Sequence, residues 1–388
     1  MAVMTHLIFL GRQADVAQAE LKVVLARFSQ SLQIDTITEH TLGITLDENC
    51  TAQKLIDVLG GTFKIAKLMK TIQTVETSEI ETEVIEILKT VQADKNRKTF
   101  SIAEHDRNHL DALSLPTIKK GLVKAGLSAR FVETSREGGE AALILEGDIA
   151  EIHVIHAKHY TVLGITEAVQ DVHNWSHRDM DKPYRDMRRG MLPPKLARSL
   201  VNLAIGAKSP TDLTILDPFC GTGTVLMEAM LLGAHVIGTD LAPDSIHGAG
   251  NNLAWMQKEY SLTDAYSLAV QDVTQLTTVQ TNNQKVDAIV TEPFLGKPNT
   301  EPADIDNMLK GLEKLYLGSF KQWLQILKPG GVVVIAFPFV QHKDRVKTVQ
   351  TLIDRLESLG YTREKGPYLY TRPNAFVQRA LYVYRLKE

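Results

Sequence analysis

The sequence predicts an α/β protein. Its C-terminal half reads as a Rossmann-like doubly wound sheet with an antiparallel last strand, preceded by two smaller α+β units. Three observations predict it. From residue 191 onward, helix-like and strand-like segments alternate regularly, the pattern of a parallel sheet with helices on both faces. An apolar run at 213–216 leads into an acid, a Gly-x-Gly turn and then a helical pattern. Before residue 75 the segments fall in the order β-α-β-β-α-β, that of a ferredoxin-like unit.

Residues 3–10 read as the first strand. Residues 14–28 read as a helix, because Val16, Ala19, Leu21, Val24, Leu25 and Phe28 recur at helical spacing. Short strand-like runs follow at 33–37 and 41–46, then a helix over 51–59 that stops at Gly60-Gly61, then a strand over 63–72. A helix over 78–91 bridges to a second unit. That unit has a strand at 100–103, a helix at 116–126, and strands at 129–133, 141–146, 152–157 and 160–166. Residues 171–183 are polar without a clear period and read as a linker. Beyond it come helices at 194–205, 224–232, 244–256 and 308–327. They alternate with strands at 213–216, 235–239, 267–270, 286–291 and 332–337; runs at 368–370 and 380–385 form a closing antiparallel pair. The expected domains are 1–75, 76–166, a linker over 167–184, and 185–388.

At 388 residues the chain is too long for one typical core. Its longest apolar stretches, such as 331–336, are far shorter than a membrane span. The apolar start has no basic leader and reads as a strand, not a signal peptide. Cys50 and Cys220 make neither a disulfide framework nor a zinc site, so a reducing cytoplasmic setting fits. A net charge of −3 excludes a protein that binds nucleic acid with its whole surface. Charge is uneven, however. Lys182, Arg185, Arg188, Arg189, Lys195 and Arg198 cluster in one stretch, and Lys119, Lys120, Lys124, Arg130 and Arg136 in another. Each is either a solvated helix face or part of a surface that meets an anion.

The chemistry concentrates at strand ends. Ligands of doubly wound sheets bind beyond the carboxyl ends of the strands. Gly221 and Gly223 let the backbone turn tightly after Asp217, and the helix that follows offers free N–H groups. A dinucleotide fingerprint needs a third glycine where Leu226 stands, and the Gly-Lys-Ser/Thr of a triphosphate loop is absent. Asp217 argues against a pyrophosphate and suits a ligand with an ammonium group. Asp240 closes the next strand and can accept both hydroxyls of a ribose. Asp272, after the third strand, can accept from an adenine amine. S-adenosylmethionine carries all three groups. The competing reading makes Asp240 and Asp272 helix caps.

Here a resemblance enters. Asp217-Pro-Phe-Cys-Gly-Thr-Gly223 resembles the first motif of class I methyltransferases, and 327–331 (Leu-Lys-Pro-Gly-Gly) is similar to the turn before their fifth strand. Residues 185–204 (Arg-Asp-Met-Arg-Arg-Gly-Met-Leu-Pro-Pro-Lys-Leu-Ala-Arg-Ser-Leu-Val-Asn-Leu-Ala) resemble the segment that enters the catalytic domain of THUMP-containing tRNA guanosine N2-methyltransferases. The likeness is close over 171–388 and architectural before that. It implies a cofactor site of Asp217, Phe219, Gly221, Thr222, Gly223, Asp240, Leu241, Asp272 and Val273 for S-adenosyl-L-methionine. It implies tRNA as partner, methylation of a guanosine 2-amino group with position 10 in first place, no metal, no membrane and a monomer; a small activating subunit is compatible with it. The family's catalytic motif is Asp/Asn/Ser-Pro-Pro-aromatic after the fourth strand. This chain has Thr291-Glu292-Pro293-Phe294 instead. Phe294 can still stack on a base, worth about 1–3 kcal/mol. Whether the Glu292 carboxylate, its backbone carbonyl or the Thr291 hydroxyl takes the aspartate's part stays open. Carbon-5 pyrimidine methylation is disfavoured, because it needs a nucleophilic cysteine near this loop. His153, His156, His159, His173 and His177 lack a ligand-like spacing and read as surface or RNA-facing residues. The rival functions are an amino-methyltransferase of ribosomal RNA or DNA, and a catalytically degenerate RNA-binding module.

Overall fold

The computed structural model describes residues 4–28, 33–46, 50–73, 76–91, 97–106, 112–133, 144, 149–186, 191–281, 283–297, 300–342, 345–372 and 375–388. By its contacts the chain divides into two units, Met1–Ala17 with Phe28–Ser176, and Gln18–Arg27 with His177–Glu388.

Along the chain, β1 (His6–Leu10), α1 (Ala14–Phe28, of which Gln18–Arg27 count with the second unit), β2 (Ile34–Thr36), β3 (Thr41–Ile44), α2 (Ala52–Val58) and β4 (Thr62–Ile72) follow in the expected order. Thr51 caps α2, its hydroxyl accepting from the Lys54 N–H at 3.2 Å. Next come α3 (Thr77–Thr90), β5 (Arg97–His105), α4 (Leu115–Lys124), β6 (Ser128–Phe131), β7 (Ala150–His156) and β8 (Thr161–Val169). All eight strands form one sheet, β2-β3-β1-β4-β8-β7-β5-β6. Two segments that read as separate units in sequence therefore share a sheet, with β4 antiparallel to β8 from Lys64↔Val169 to Ile72↔Thr161. The pairing satisfies N–H and C=O groups that an open β4 edge would leave exposed. Ile80, Val84 and Leu88 of α3 and Ile118 and Leu122 of α4 pack with Phe100, Ile152, Val154 and Leu163. The strand expected over 141–146 lies outside the described residues, Ile144 excepted.

Every residue of β7 is buried, including His153 and His156. These two histidines are therefore core residues, not surface or RNA-facing ones. His153 Nε2 lies 2.8 Å from the Thr166 hydroxyl and its Nδ1 2.9 Å from His105 Nε2. The Lys64 ammonium donates to both oxygens of Glu151, at 2.8 and 2.7 Å. The polar run at 171–183 also differs from the linker expected. It forms α5 (Val172–Ser176) and a π-helical turn, His177–Asp181. Its polarity reflects internal pairing: Arg178 is buried and donates to Glu228 at 2.8 Å.

The second unit comprises α6 (Pro194–Ile205), β9 (Thr214–Asp217), α7 (Thr224–Leu231), β10 (His235–Asp240), α8 (Pro243–Glu259), β11 (Tyr266–Val270), β12 (Val286–Thr291), α9 (Ile305–Ile326), β13 (Leu327–His342), β14 (Arg345–Thr348), α10 (Gln350–Arg355), β15 (Tyr361–Tyr370) and β16 (Gln378–Leu386). The strand order is β11-β10-β9-β12-β13-β16-β15, with β14 hairpinned onto β13. Strands β9 to β13 run parallel, and β16 runs antiparallel to both neighbours. From β9 the chain winds outward through β10 to β11, then returns to β12 on the other side of β9. That reversal opens a crevice at the carboxyl ends of β9 and β12. Helix α9 covers one face with Leu309, Leu312, Tyr316, Phe320, Trp323 and Ile326, one every three or four residues, against Ile289, Val333, Ile335 and Phe337. Strand β13 outruns the six residues expected. Lys328–Gly331 loops out where Val286↔Leu327 is followed by Ala288↔Val332, and Gly330 takes φ +69°.

Candidate active site

Four adjacent strands deliver their carboxyl ends to one edge. β9 ends on Asp217 and turns through Gly221 at φ +52° and Gly223 at φ +86°. A Cβ on Gly223 would sit 3.3 Å from the Ala249 Cβ, so the turn presses on α8; one on Gly221 would meet nothing within 4 Å. The Gly221 backbone thus borders open space, a cradle that a side chain would fill. The turn is tied to β10, since the Cys220 N–H donates to the Thr239 carbonyl at 2.9 Å. Burial pushes the Cys220 thiol well up, which makes it a packing residue and not a nucleophile.

Asp240 ends β10. Its Oδ2 accepts from the Gly221 N–H and its Oδ1 from the Ala242 N–H, both at 2.9 Å. It fixes the glycine turn and closes a local turn onto Ala242 ahead of α8. Leu241 beside it is exposed, and Thr222 and Phe219 are half-buried. Asp272 follows β11 and caps the short turn Val273–Gln275, its Oδ1 accepting from the Thr274 N–H at 2.8 Å and hydroxyl at 2.7 Å. Val273 is buried beneath it. Asp272 is therefore a cap, whereas α8 starts from Ala242 with no side-chain cap, and both acids stand at the same sheet edge as Asp217.

Asp217 is buried, and desolvation raises its carboxyl from the usual range to about 7; Asp240 and Glu292 raise it further, while hydrogen bonds from Thr291 and the Phe219 N–H oppose the rise. The Thr291 hydroxyl, at the end of β12, donates to Asp217 Oδ1 at 2.7 Å. Its proton is committed there, its lone pairs are not, and the side chain is fully buried. Pro293 is buried and Phe294 is 57% exposed, held by its own carbonyl, which accepts from the buried Tyr316 hydroxyl at 2.6 Å. Gly296 at φ +102° turns the chain away over Met308.

Glu292 has a partner the sequence reading missed. Arg379, at the start of β16, donates through Nε at 2.9 Å and Nη2 at 2.6 Å to Glu292 Oε1. Also missed was Asn252, whose side-chain amide donates to the Tyr184 carbonyl at 3.0 Å and the Thr222 carbonyl at 2.8 Å, pinning the incoming segment to the cofactor turn. The basic stretch over 182–198 is only partly a surface. Lys182 and Arg198 are buried, and Arg198 pairs with Glu228 at 2.7 Å. Arg188 and Arg189 lie outside the described residues, as does Arg136. A separate cavity of about 460 Å³, lined by Lys208, Gly330, Thr362 and Arg385, opens at the amino ends of β13 and β15 and includes none of the site residues. Among the described residues no cluster of His, Cys, Asp and Glu could hold a metal, and no helix is long and apolar enough to cross a membrane.

Comparison with known proteins adds to this geometry. A family model described as an RMKL-like methyltransferase domain matches residues 182–347, and one described as a DNA methylase matches 83–250. The tRNA (guanine(10)-N2)-dimethyltransferase of Methanothermobacter thermautotrophicus is 36% identical over 149 residues, which is 38% of this chain and 39% of that protein. The chain thus spans 39% of that relative's length. A probable tRNA (guanine(10)-N2)-dimethyltransferase of Methanothermococcus thermolithotrophicus is 35% identical over 121 residues, 30% of this chain and 70% of that one. Among solved structures, TrmN from Thermus thermophilus has the same fold, with a TM-score of 0.57 at 15% identity over 98% of this chain and 99% of that chain.

Proposed function

Because the chain belongs to the family of tRNA (guanine(10)-N2)-methyltransferases, we propose that it methylates the exocyclic 2-amino group of a tRNA guanosine, at position 10, using S-adenosylmethionine. One observation carries the reading: Asp217, Asp240 and Asp272 share a sheet edge with the Thr291–Phe294 loop, and Thr291 is bonded directly to Asp217. Cofactor acids and catalytic loop are thereby one structure.

The residues present fit the cofactor. The open space at Gly221 admits a ligand against the backbone. Asp217 suits an ammonium group, Asp240 a ribose, and Asp272 with Val273 and Leu241 an adenine. When bound, S-adenosylmethionine supplies an electrophilic methyl carbon on a sulfonium. Around it the chain's own residues orient the acceptor. Phe294, exposed beside the crevice, stacks on a guanine turned out of the RNA. Glu292 accepts an N–H of the base. No strong base is required, because an amine becomes very acidic once it gains a methyl group. The α+β region, read as a ferredoxin-like unit over 1–75 and a THUMP-like unit over 76–166, grips the tRNA body. The setting is the cytoplasm, and the working form is a monomer.

Mass spectrometry of tRNA nucleosides from a deletion strain tests the proposal. Loss of N2-methylguanosine at one tRNA site is expected. Loss confined to ribosomal RNA or to a DNA base would overturn it in favour of the other amino-methyltransferases, and no loss in favour of a binding module. In the purified protein, Phe294→Ala should cut turnover at least ten-fold while cofactor affinity stays nearly constant, since the lost contact belongs to the base.

A further inference from the structure

Arg379 and Glu292 pair in an uneven way. A guanidinium commonly meets a carboxylate fork to fork, one N–H to each oxygen. Here Nε and Nη2 both donate to Oε1, and Oε2 is buried with no hydrogen-bond partner. The pair is well sheltered, with the side chain of Glu292 17% and that of Arg379 10% exposed. Arg379 is itself steadied: it pairs with Pro338 of β13 across the sheet and lies over the Tyr370 ring, 5.8 Å from its centroid. The strand that carries Arg379 therefore holds Glu292 by one oxygen and leaves the other without a donor, two residues before the exposed Phe294. A buried acceptor without a donor calls for an explanation, and a donor on a base that reaches Oε2 as it enters the site would supply one.

Resting on the guanosine reading above, we infer that Glu292, positioned by Arg379, is the residue that selects guanine over other amino-bearing bases. The amines of guanine, adenine and cytosine are alike, but the ring nitrogen next to each differs. In guanine it is N1–H, a donor. In adenine (N1) and cytosine (N3) it is an acceptor. A carboxylate paired with a guanidinium accepts and does not donate. It matches the N1–H and amine donors of guanine, and it faces the ring nitrogens of adenine and cytosine lone pair to lone pair. A site built to bond a donor discriminates strongly against an analogue that lacks it. The aspartate-proline-proline-aromatic pattern of the resemblance has proline where Glu292 stands, so this selection belongs to the chain's own departure from that pattern.

The test uses short RNA substrates that carry guanosine, 2-aminopurine or adenosine at the target position. 2-Aminopurine keeps the 2-amino group but has an acceptor at N1. The unaltered protein should methylate guanosine with a kcat/KM roughly ten- to a hundred-fold above 2-aminopurine, the range of one hydrogen bond to a charged group. Glu292→Gln, which presents a donor as well as an acceptor, should shrink that ratio to within a few-fold. Arg379→Ala should shrink it too, with partial recovery in Arg379→Lys. Calorimetric cofactor affinity certifies that each variant is folded. The guanosine to 2-aminopurine ratio of the unaltered protein needs no variant. If guanosine and 2-aminopurine react equally well, or if the ratio is the same in Glu292→Gln, the inference falls while the functional reading stands. If no guanosine in RNA accepts a methyl group, the functional reading itself falls first.

Discussion

Burial holds the Asp217 carboxyl at about 7, where a small change of pH changes its charge. Its folded value lies above the ordinary 3.8, so between those two values the folded chain binds more protons than the unfolded one. Stability from this group is then full below pH 3.8 and falls as pH rises toward 7. The full cost is on the order of 4 kcal/mol. A ligand ammonium reverses the preference, because it favours the ionised form. Cofactor affinity should therefore rise as pH is raised from 6 to 8. Asp217→Asn should bind cofactor at least ten-fold more weakly and nearly without pH dependence, yet melt at a higher temperature than the parent at pH 8. Calorimetry and thermal melts across that range check both. A pH-independent affinity in the unaltered protein would remove Asp217 from the ammonium.

At the scale of elements, the centre of the first sheet depends on a buried ion pair. Burial alone would raise the Glu151 carboxyl, but hydrogen bonds from His153 and the charge and hydrogen bonds of Lys64 carry it down to about 2, while burial lowers His153 itself and so favours its neutral form. Its stabilisation is present above pH 4.5 and is lost as pH falls toward 2. Lys64→Ala removes the ammonium and leaves Glu151 only its His153 and Thr166 contacts between β4, β7 and β8, and should cost about 3 kcal/mol, the low end for breaking a buried ion pair. Denaturant unfolding at pH 7 measures that loss, and a loss under 1 kcal/mol would mean that water relieves the site. Nothing in the sequence announced this network. Its members lie 87 residues apart, and strand β7 is apolar enough to hide two histidines. The helix over 14–28, by contrast, was legible to the residue, because its period is written locally. So were the positions of Asp217, Asp240 and Asp272 at or just past the ends of β9, β10 and β11. The hairpin partner β14 was not, because Pro338 and the polar Gln341-His342 end the apolar signal before β13 ends. Arg379 was invisible for the same reason as Lys64: it meets Glu292 across 87 residues, and only the antiparallel β16 brings it there.

For the molecule as a whole, chemistry and RNA grip are expected to separate between the two units. The second unit carries the three acids and the exposed Phe294, to which the proposed chemistry is assigned. Of its basic stretch, Arg198 is spent internally on Glu228 and Lys182 is buried. The basic stretch of the first unit faces outward: Lys119, Lys120 and Lys124 on α4 and Arg130 on β6 are all exposed, while Ile118 and Leu122 of the same helix face the core. Lys119 also lies 5.9 Å from the Phe131 ring centroid, which ties its long side chain to β6. Phosphate contacts add little sequence information but much affinity, and each one releases counterions on binding. Changing Lys119 and Lys120 to Glu should therefore raise the KM for tRNA, leave kcat at saturating tRNA near the parent value, and leave cofactor affinity untouched. The plot of log affinity against log salt should flatten by roughly 0.7–0.9 for each phosphate contact removed. An unchanged slope would mean that this face is only a solvated helix, and that the contacts that hold tRNA lie elsewhere on the chain. A fall in kcat with an unchanged slope would instead tie α4 to the reacting step, and the separation of grip from chemistry would be wrong.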